Sequence, residues 1–204
     1  MNLSGKDFWS ALRMSVTDPF ALAGWIIALR FSVIDGLMAL GACAVLTTLM
    51  TGLTLNLMMP IFQASLLEAG ISPNENSVQQ VLQIVQFVLD HPLFLATLQF
   101  LISVFRAYIL ARLGRAFGGK GSFSEAFALF AWIQIVQVII LVTTIITLFV
   151  FPLVTVLIMV SAYLFYFYML TYFACVLHGF KSVGRVFLAV ALTEFFIFIA
   201  FLFV

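Results

Sequence analysis

The chain has 204 residues, of which 65% are hydrophobic and 8% are charged, and its formal net charge at pH 7 is +1. A soluble domain carries about 25% charged residues, so this composition excludes a soluble globular fold and indicates a protein that lives in a lipid bilayer. The small net charge gives no sign of a nucleic-acid partner.

The first thirty residues predict two short helices that lie in the membrane interface. Ser4 and Asp7 have the spacing of a capping box at the start of a helix. An apolar face follows at helical spacing, and Asp18-Pro19 restarts a second helix over 19–30. We interpret 1–30 as a cytoplasmic amphipathic segment that either packs on the membrane domain or contacts lipid or a partner.

Five apolar runs follow, and each is long enough for a spanning helix, which needs about 20 mostly apolar residues. The runs cover residues 31–59, 91–112, 124–148, 152–177 and 184–204. Polar residues spaced by three or four positions predict an amphipathic surface helix over 78–90. The predicted fold is all-α: a polytopic membrane protein whose five-helix domain, 31–204, follows the interfacial segment.

The basic residues predict how the helices are oriented. All nine Lys and Arg residues lie before the first span, around the connection between the second and third, or between the fourth and fifth. With five spans, these regions share one side of the membrane. The opposite side carries Glu68, Glu75 and Asp90. The positive-inside rule therefore places the N-terminus in the cytoplasm and the C-terminus outside.

The stretch GRAFGGKGS, residues 114–122, contains the G-x-x-x-x-G-K pattern of a nucleotide-binding P-loop. A P-loop follows a β-strand and has Ser or Thr directly after its lysine, whereas Gly121 follows Lys120 here, after a predicted membrane helix. We therefore expect no nucleotide to bind. The glycines instead predict a flexible turn, and Ser122 and Glu125 predict a capping box for the third span.

Positive charge near this turn predicts contact with anions. Exposed N–H groups at a helix start favour anions, so a lipid phosphate is expected within reach. The alternative is that the charges only anchor the helix ends at the headgroups. The candidate contacts to anionic lipid headgroups are Arg115, Lys120, Ser122, Lys181 and Arg185.

Polar residues within the predicted spans are costly in lipid and are candidates for function. Glu194 lies about 15 Å into the last span, near the midplane. Residues at similar depth in other spans complete a predicted polar layer: Gln99, Gln134, Gln137 and Tyr166. This layer is either a site for a proton, a lipid headgroup or a small solute, or a set of hydrogen bonds that joins the helices. Arg106 reaches Glu194 only if the second span lies deeper than predicted.

No arrangement of reactive side chains predicts catalysis. Cys43 and Cys175 lie far apart within apolar runs, and neither His91 nor His178 has metal-ligand spacing with them. We therefore expect no enzyme activity, no metal and no cofactor.

Small residues along the first span predict a surface for close helix packing. They include Gly36, Ala39, Gly41 and the run 52–59. A second copy of the chain or another membrane protein would fit such a surface. Membrane lipids are the other expected partners.

Three short segments resemble the Yip family, the Ypt/Rab-interacting small membrane proteins. GGKGSFSEAF at 118–127 is similar to the loop before the family's third helix, and LHGFKSVG at 177–184 resembles the loop before its last helix. Asp18-Pro19-Phe20 resembles the lead into the membrane domain. Five spans with a cytoplasmic N-terminus and an outward C-terminus also match the family.

The resemblance implies a non-enzymatic membrane protein. Eukaryotic members contact prenylated Rab GTPases and have a longer N-terminal region with a tyrosine-containing motif, which the thirty residues here lack. The chain is therefore similar to compact bacterial members, which implies the bacterial inner membrane. We expect it to organise membrane or recruit partners through its basic cytoplasmic face. The alternative is a lipid or small-solute translocator that uses the layer around Glu194.

Overall fold

The structure, a computed structural model, describes residues 5–68, 70 and 76–202, and in that part of the chain every regular element is an α-helix. The helices are α1 Gly5–Thr17, α2 Pro19–Ala28, α3 Val33–Glu68, α4 Asn76–Asp90, α5 Pro92–Ala116, α6 Phe123–Val150, α7 Pro152–His178 and α8 Val183–Leu202. The predicted cap Ser4 lies outside the described residues. The all-α prediction is confirmed, and α3, α5, α6 and α7 are long and apolar enough to cross a membrane.

The predicted apolar runs coincide with α3, α5, α6, α7 and α8, but two helices extend beyond the predicted ends. α3 continues through Pro60 to Glu68, although a proline inside a helix removes one backbone hydrogen bond and usually kinks or breaks the helix. α5 continues from its predicted end at 112 to Ala116. That extension moves Arg106 away from the helix end.

α2 packs on the side of the bundle against α6 and α7, and α1 packs on α2. Asp18 caps α2, since its Oδ1 accepts the Ala21 N–H at 3.0 Å. The indole N–H of Trp132 on α6 donates to the buried Ser15 Oγ on α1 at 2.9 Å. A buried hydrogen bond between distant side chains fixes the position of α1.

The first half of α6 forms the centre of the bundle. Residues 126–131 are buried without interruption, which is the pattern of a helix surrounded by protein. α6 packs on α2, α3, α5 and α7, whereas α8 packs mainly on α7. α8 is therefore the least enclosed of the long helices.

Contacts between helix ends define one end of the bundle. The start of α3 lies against the start of α6, where a Cβ atom at Gly36 would be 2.8 Å from the Cβ of Phe127. The α5–α6 and α7–α8 connections also meet, because the Gly121 N–H donates to His178 Nδ1 at 3.3 Å. We call the end formed by residues 114–123 and 178–183 the basic end.

Gly36 and Gly41 provide close packing within one chain. A Cβ atom at Gly41 would lie 3.9 Å from the Phe100 ring of α5, whereas one at Gly52 would have nothing within 4 Å. The first part of the predicted small-residue surface is therefore occupied by α5 and α6, and Gly52 lies beyond it.

We expect Gly36→Ala to destabilise the protein, because the added methyl group would push α3 away from α6. Overpacking of this kind costs about 1–3 kcal/mol. Gly52→Ala, in the same helix, is the matched control and should leave the free energy of unfolding unchanged or slightly higher, since alanine is the better helix former. Equilibrium unfolding by SDS in mixed micelles measures both variants. Equal stabilities would contradict the packing described here.

Candidate functional site

Three side chains from three helices meet between α5, α7 and α8. Arg106 Nη2 on α5 lies 3.0 Å from Glu194 Oε2 on α8. The Tyr166 hydroxyl on α7 donates to Glu194 Oε1 at 2.9 Å, and the Arg106 guanidinium carbon lies 6.0 Å from the centroid of the Tyr166 ring. One carboxylate therefore joins α8 to both neighbouring helices.

Arg106 and Glu194 lie at similar distances from the basic end, and helix length explains this. Arg106 lies about 15 Å from the end of α5, and Glu194 lies about 17 Å from the start of α8, at 1.5 Å per residue. The side chains keep 28% and 9% exposure respectively. A charge that is largely removed from water is costly unless it is paired, so the two charges compensate each other.

Arg106 uses only part of its hydrogen-bonding capacity in this pair. Its Nε is buried and has no acceptor among the described residues. Arginine forms its strongest carboxylate pairs through two parallel N–H groups. The contact through Nη2 alone therefore leaves the pair weaker than a two-pronged one.

A second polar group joins α5 to α6. Gln134 Nε2 donates to Ser103 Oγ at 3.3 Å, and that hydroxyl donates to the Gln99 carbonyl oxygen at 2.8 Å. Gln137 is in neither group, and its Nε2 is buried without a partner among the described residues. The structure thus divides the predicted layer: Tyr166 and Glu194 meet, Gln134 reaches the backbone of Gln99, and Gln137 stays apart.

Two residues of these groups, Ser103 and Arg106, were not part of the predicted layer. The signal for them is spacing, since Gln99, Ser103 and Arg106 follow each other at intervals of four and three residues. Such intervals place side chains on one face of a helix. α5 therefore presents one polar face to α6 and α8.

A cleft of about 570 Å³ opens between α5, α7 and α8. Arg106 and Glu194 line its inner part, and Lys181 and Arg185 line it near the basic end. The lining between them is mainly apolar and includes Ile109, Leu113, Val186, Ala189 and Val190. The cleft thus has polar groups at two levels and an apolar surface between them, which suits an amphiphilic ligand.

The glycines of GRAFGGKGS surround His178, which corrects the interpretation of this stretch as a free turn. A Cβ atom at Gly114 or Gly119 would overlap the imidazole, and one at Gly121 would lie 2.5 Å from Leu177 Cγ. Gly118 adds a backbone φ of 85°, which favours glycine. The stretch needs glycine because the end of α7 packs directly against its backbone.

Hydrogen bonds at both ring nitrogens hold His178 in place. Nε2 lies 3.1 Å from the Leu110 carbonyl oxygen, and Nδ1 accepts the Gly121 N–H. A neutral ring with its proton on Nε2 satisfies both bonds. His178 therefore joins α5, the α5–α6 connection and α7 into one unit.

The predicted capping box is present at the start of α6. Ser122 Oγ accepts the Glu125 N–H at 3.3 Å, and Glu125 Oε2 accepts the Ser122 N–H at 2.8 Å. The Ser122 groups are therefore engaged within the helix start. We expect Ser122 to contribute less to headgroup contact than its sequence position suggested.

The four basic candidates for headgroup contact fall into separate environments. Lys181 and Arg185 line the cleft. The Arg115 guanidinium lies 4.0 Å from the centroid of the Phe123 ring, in a cation–π contact. Lys120 is exposed and does not line the cleft.

Among the described residues, no group of three His, Cys, Asp or Glu side chains is placed to hold a metal ion. Cys43 and Cys175 are both buried and unpaired. No family model, no curated protein and no solved structure matches this chain.

We expect the Arg106–Glu194 pair to show strong energetic coupling. Arg106→Met or Glu194→Leu alone leaves one charge without its partner, whereas the double variant removes both charges. The coupling free energy should be about 1–3 kcal/mol. This is less than for a fully buried ion pair, because Arg106 keeps partial exposure to solvent. SDS unfolding of the four proteins measures it. Additive losses would show that the two side chains do not stabilise each other.

Proposed function

We propose that this chain is a non-enzymatic membrane protein that binds an anionic membrane lipid in the cleft between α5, α7 and α8 and moves its headgroup across the membrane. The observation that carries the proposal is the cleft itself. The cleft has basic residues near one mouth and an apolar wall. At its inner part lies Arg106, whose Nε has no hydrogen-bond acceptor among the described residues.

The proposed topology has five spans. α8 has 20 residues, or about 30 Å, which matches the hydrocarbon thickness of a bilayer. The basic end carries Arg115, Lys120 and Lys181, whereas Asp90 ends α4 near the start of α5, away from that end. The positive-inside rule then assigns the basic end to the cytoplasm.

The proposed binding mode follows from the chemistry of the lining. Lys181 and Arg185 supply positive charge where a phosphate would enter from the cytoplasmic leaflet. The apolar lining between these residues and Arg106 would contact an acyl chain. A cleft of about 570 Å³ falls within the range of about 300–1,000 Å³ that is usual for small-molecule sites.

Movement of the headgroup requires Arg106 and Glu194 to separate at the inner part of the cleft. The Arg106–Glu194 pair bridges the cleft there, and α8 has its main packing partner in α7 rather than in α5. A phosphate would offer Arg106 more acceptor oxygens than the single contact to Glu194 does. By competing for Arg106, the lipid would favour a state in which α8 is released from α5.

A role in membrane organisation or partner recruitment, as the resemblance to the bacterial Yip branch implies, is the second candidate. One observation favours it: Trp9 is exposed on α1 beside the exposed basic residues Lys6 and Arg13. Although α1 is fixed to α6, this outer face is free to contact lipid headgroups or another protein.

A liposome assay tests lipid movement. Fluorescent phosphatidylglycerol starts in both leaflets, and externally added dithionite bleaches the labels that become accessible. We expect wild type to expose label beyond the outer-leaflet fraction. Arg185→Ala should slow this exposure by about fivefold or more, because losing one charged contact costs about 1 kcal/mol or more.

Lys120→Ala is the matched control, because it removes a basic residue of the same end that does not line the cleft. It should behave as wild type. If only the outer-leaflet fraction responds in wild type, the lipid-moving proposal fails. If Lys120→Ala and Arg185→Ala slow the exposure equally, surface charge is responsible and the cleft is not.

A further inference from the structure

A second cavity, separate from the cleft, lies where the N-terminal helices meet α3 and α6. Its volume is about 380 Å³. Four aromatic side chains and one carboxylate line it, namely Phe8 of α1, Trp25 of α2, Phe31, Asp35 of α3 and Trp132 of α6. Aromatic rings around a cation together with an acidic group are the means by which proteins recognise organic ammonium groups.

Asp35 provides negative charge that no ion pair balances within the described ranges. Its Oδ2 accepts the Ser32 N–H at 2.9 Å and the Ser32 hydroxyl at 2.7 Å. The ion pair of Arg106 and Glu194 lies elsewhere in the bundle. The charges that line the two cavities therefore differ: two basic residues lie at the mouth of the cleft, and an acidic residue lies here.

The position of the cavity indicates an amphiphilic ligand. Asp35 lies in the first turn of α3, at the start of a candidate span. The lining further along α3 and α6 is apolar, at Ala39 and Ile135. Tryptophan rings are favoured at the headgroup level of a bilayer. A ligand would therefore place a cationic group near the interface and a hydrocarbon chain towards the membrane interior.

We propose that this cavity binds the ammonium headgroup of a zwitterionic phospholipid of the phosphatidylethanolamine type. The ammonium group would lie among the rings and beside the Asp35 carboxylate. Arg30 and Lys6 are exposed and adjoin the lining residues Phe31 and Gly5 in sequence, and they would supply positive charge for the lipid phosphate. The site does not depend on lipid movement through the cleft.

Native mass spectrometry of the full chain in detergent tests this proposal. The protein is mixed with equal amounts of phosphatidylethanolamine and phosphatidylglycerol, and bound lipids are counted. Asp35→Asn removes the charge but keeps an oxygen for the Ser32 N–H, and Trp25→Leu removes one ring. Each should reduce phosphatidylethanolamine adducts by about five- to tenfold and leave phosphatidylglycerol adducts unchanged.

Asp90→Asn, which neutralises an exposed acid at the end of α4, is the matched control and should bind both lipids as wild type does. Arg185→Ala should show the opposite pattern, with loss of phosphatidylglycerol alone, so the two sites fail independently. Unchanged phosphatidylethanolamine adducts in both Asp35→Asn and Trp25→Leu would overturn the proposal.

Tryptophan fluorescence gives a second measurement that does not depend on how the cavity variants fold. In Trp9→Phe, the remaining emission comes from Trp25 and Trp132, which both line the cavity. Titration with short-chain phosphatidylethanolamine should change this emission with saturation, and short-chain phosphatidylglycerol should not. An equal response to both lipids, or no response to either, would overturn the proposal.

Discussion

The arrangement of the cleft depends on one ion pair. Arg106 and Glu194 face each other across the space between α5 and α8, two helices that otherwise have little packing between them. Each charge is largely removed from water and would be costly without the other, so the pair holds the two helices at a shared position. Tyr166 adds a hydrogen bond that ties the same carboxylate to α7. The pair therefore sets the position of the middle of α8 relative to α5, while packing on α7 holds α8 in the bundle.

The basic end restrains α8 in a different way. His178 is held by the Leu110 carbonyl and the Gly121 N–H, and glycine backbone packs around its ring. α8 begins only a few residues later, at Val183. The start of α8 thus lies next to a tightly packed connection, whereas the middle of α8 packs on α7 and is joined to α5 mainly through Glu194. A helix restrained in this way can open at its middle while its start remains in place, which is what lipid movement through the cleft would require.

Much of the fold could be predicted because its signals are local. The apolar runs predicted the long helices. The capping residues Asp18 and Ser122 predicted the starts of α2 and α6, and the structure has both. α5 continues past the predicted end of the second span at about 112, because charged residues near a helix end do not by themselves end the helix. The sequence allowed the pairing of Arg106 with Glu194 only for a deeper second span, and the longer α5 brings the two side chains together.

The candidate site was less predictable because it depends on contacts between distant residues. His178 and Gly121 are 57 positions apart, so their close packing left no local pattern, and the glycines indicated only a flexible turn. Depth along a helix also says little about the direction of a side chain. Gln134 and Gln137 lie at similar depth, yet Gln134 reaches Ser103 while the Gln137 amide nitrogen has no partner in the described part of the chain.

The distance between α5 and α8 is the most direct test of the central role of the ion pair. With Cys43 and Cys175 replaced by alanine, spin labels at the exposed positions Leu101 and Phe196 report that distance by pulsed electron paramagnetic resonance. Glu194→Gln should lengthen and broaden the distribution of distances. Labels at Leu101 and Ile146, on α5 and α6, should be unaffected by the same substitution. Identical α5–α8 distributions in the two proteins would contradict the claim that the pair holds α8 against α5.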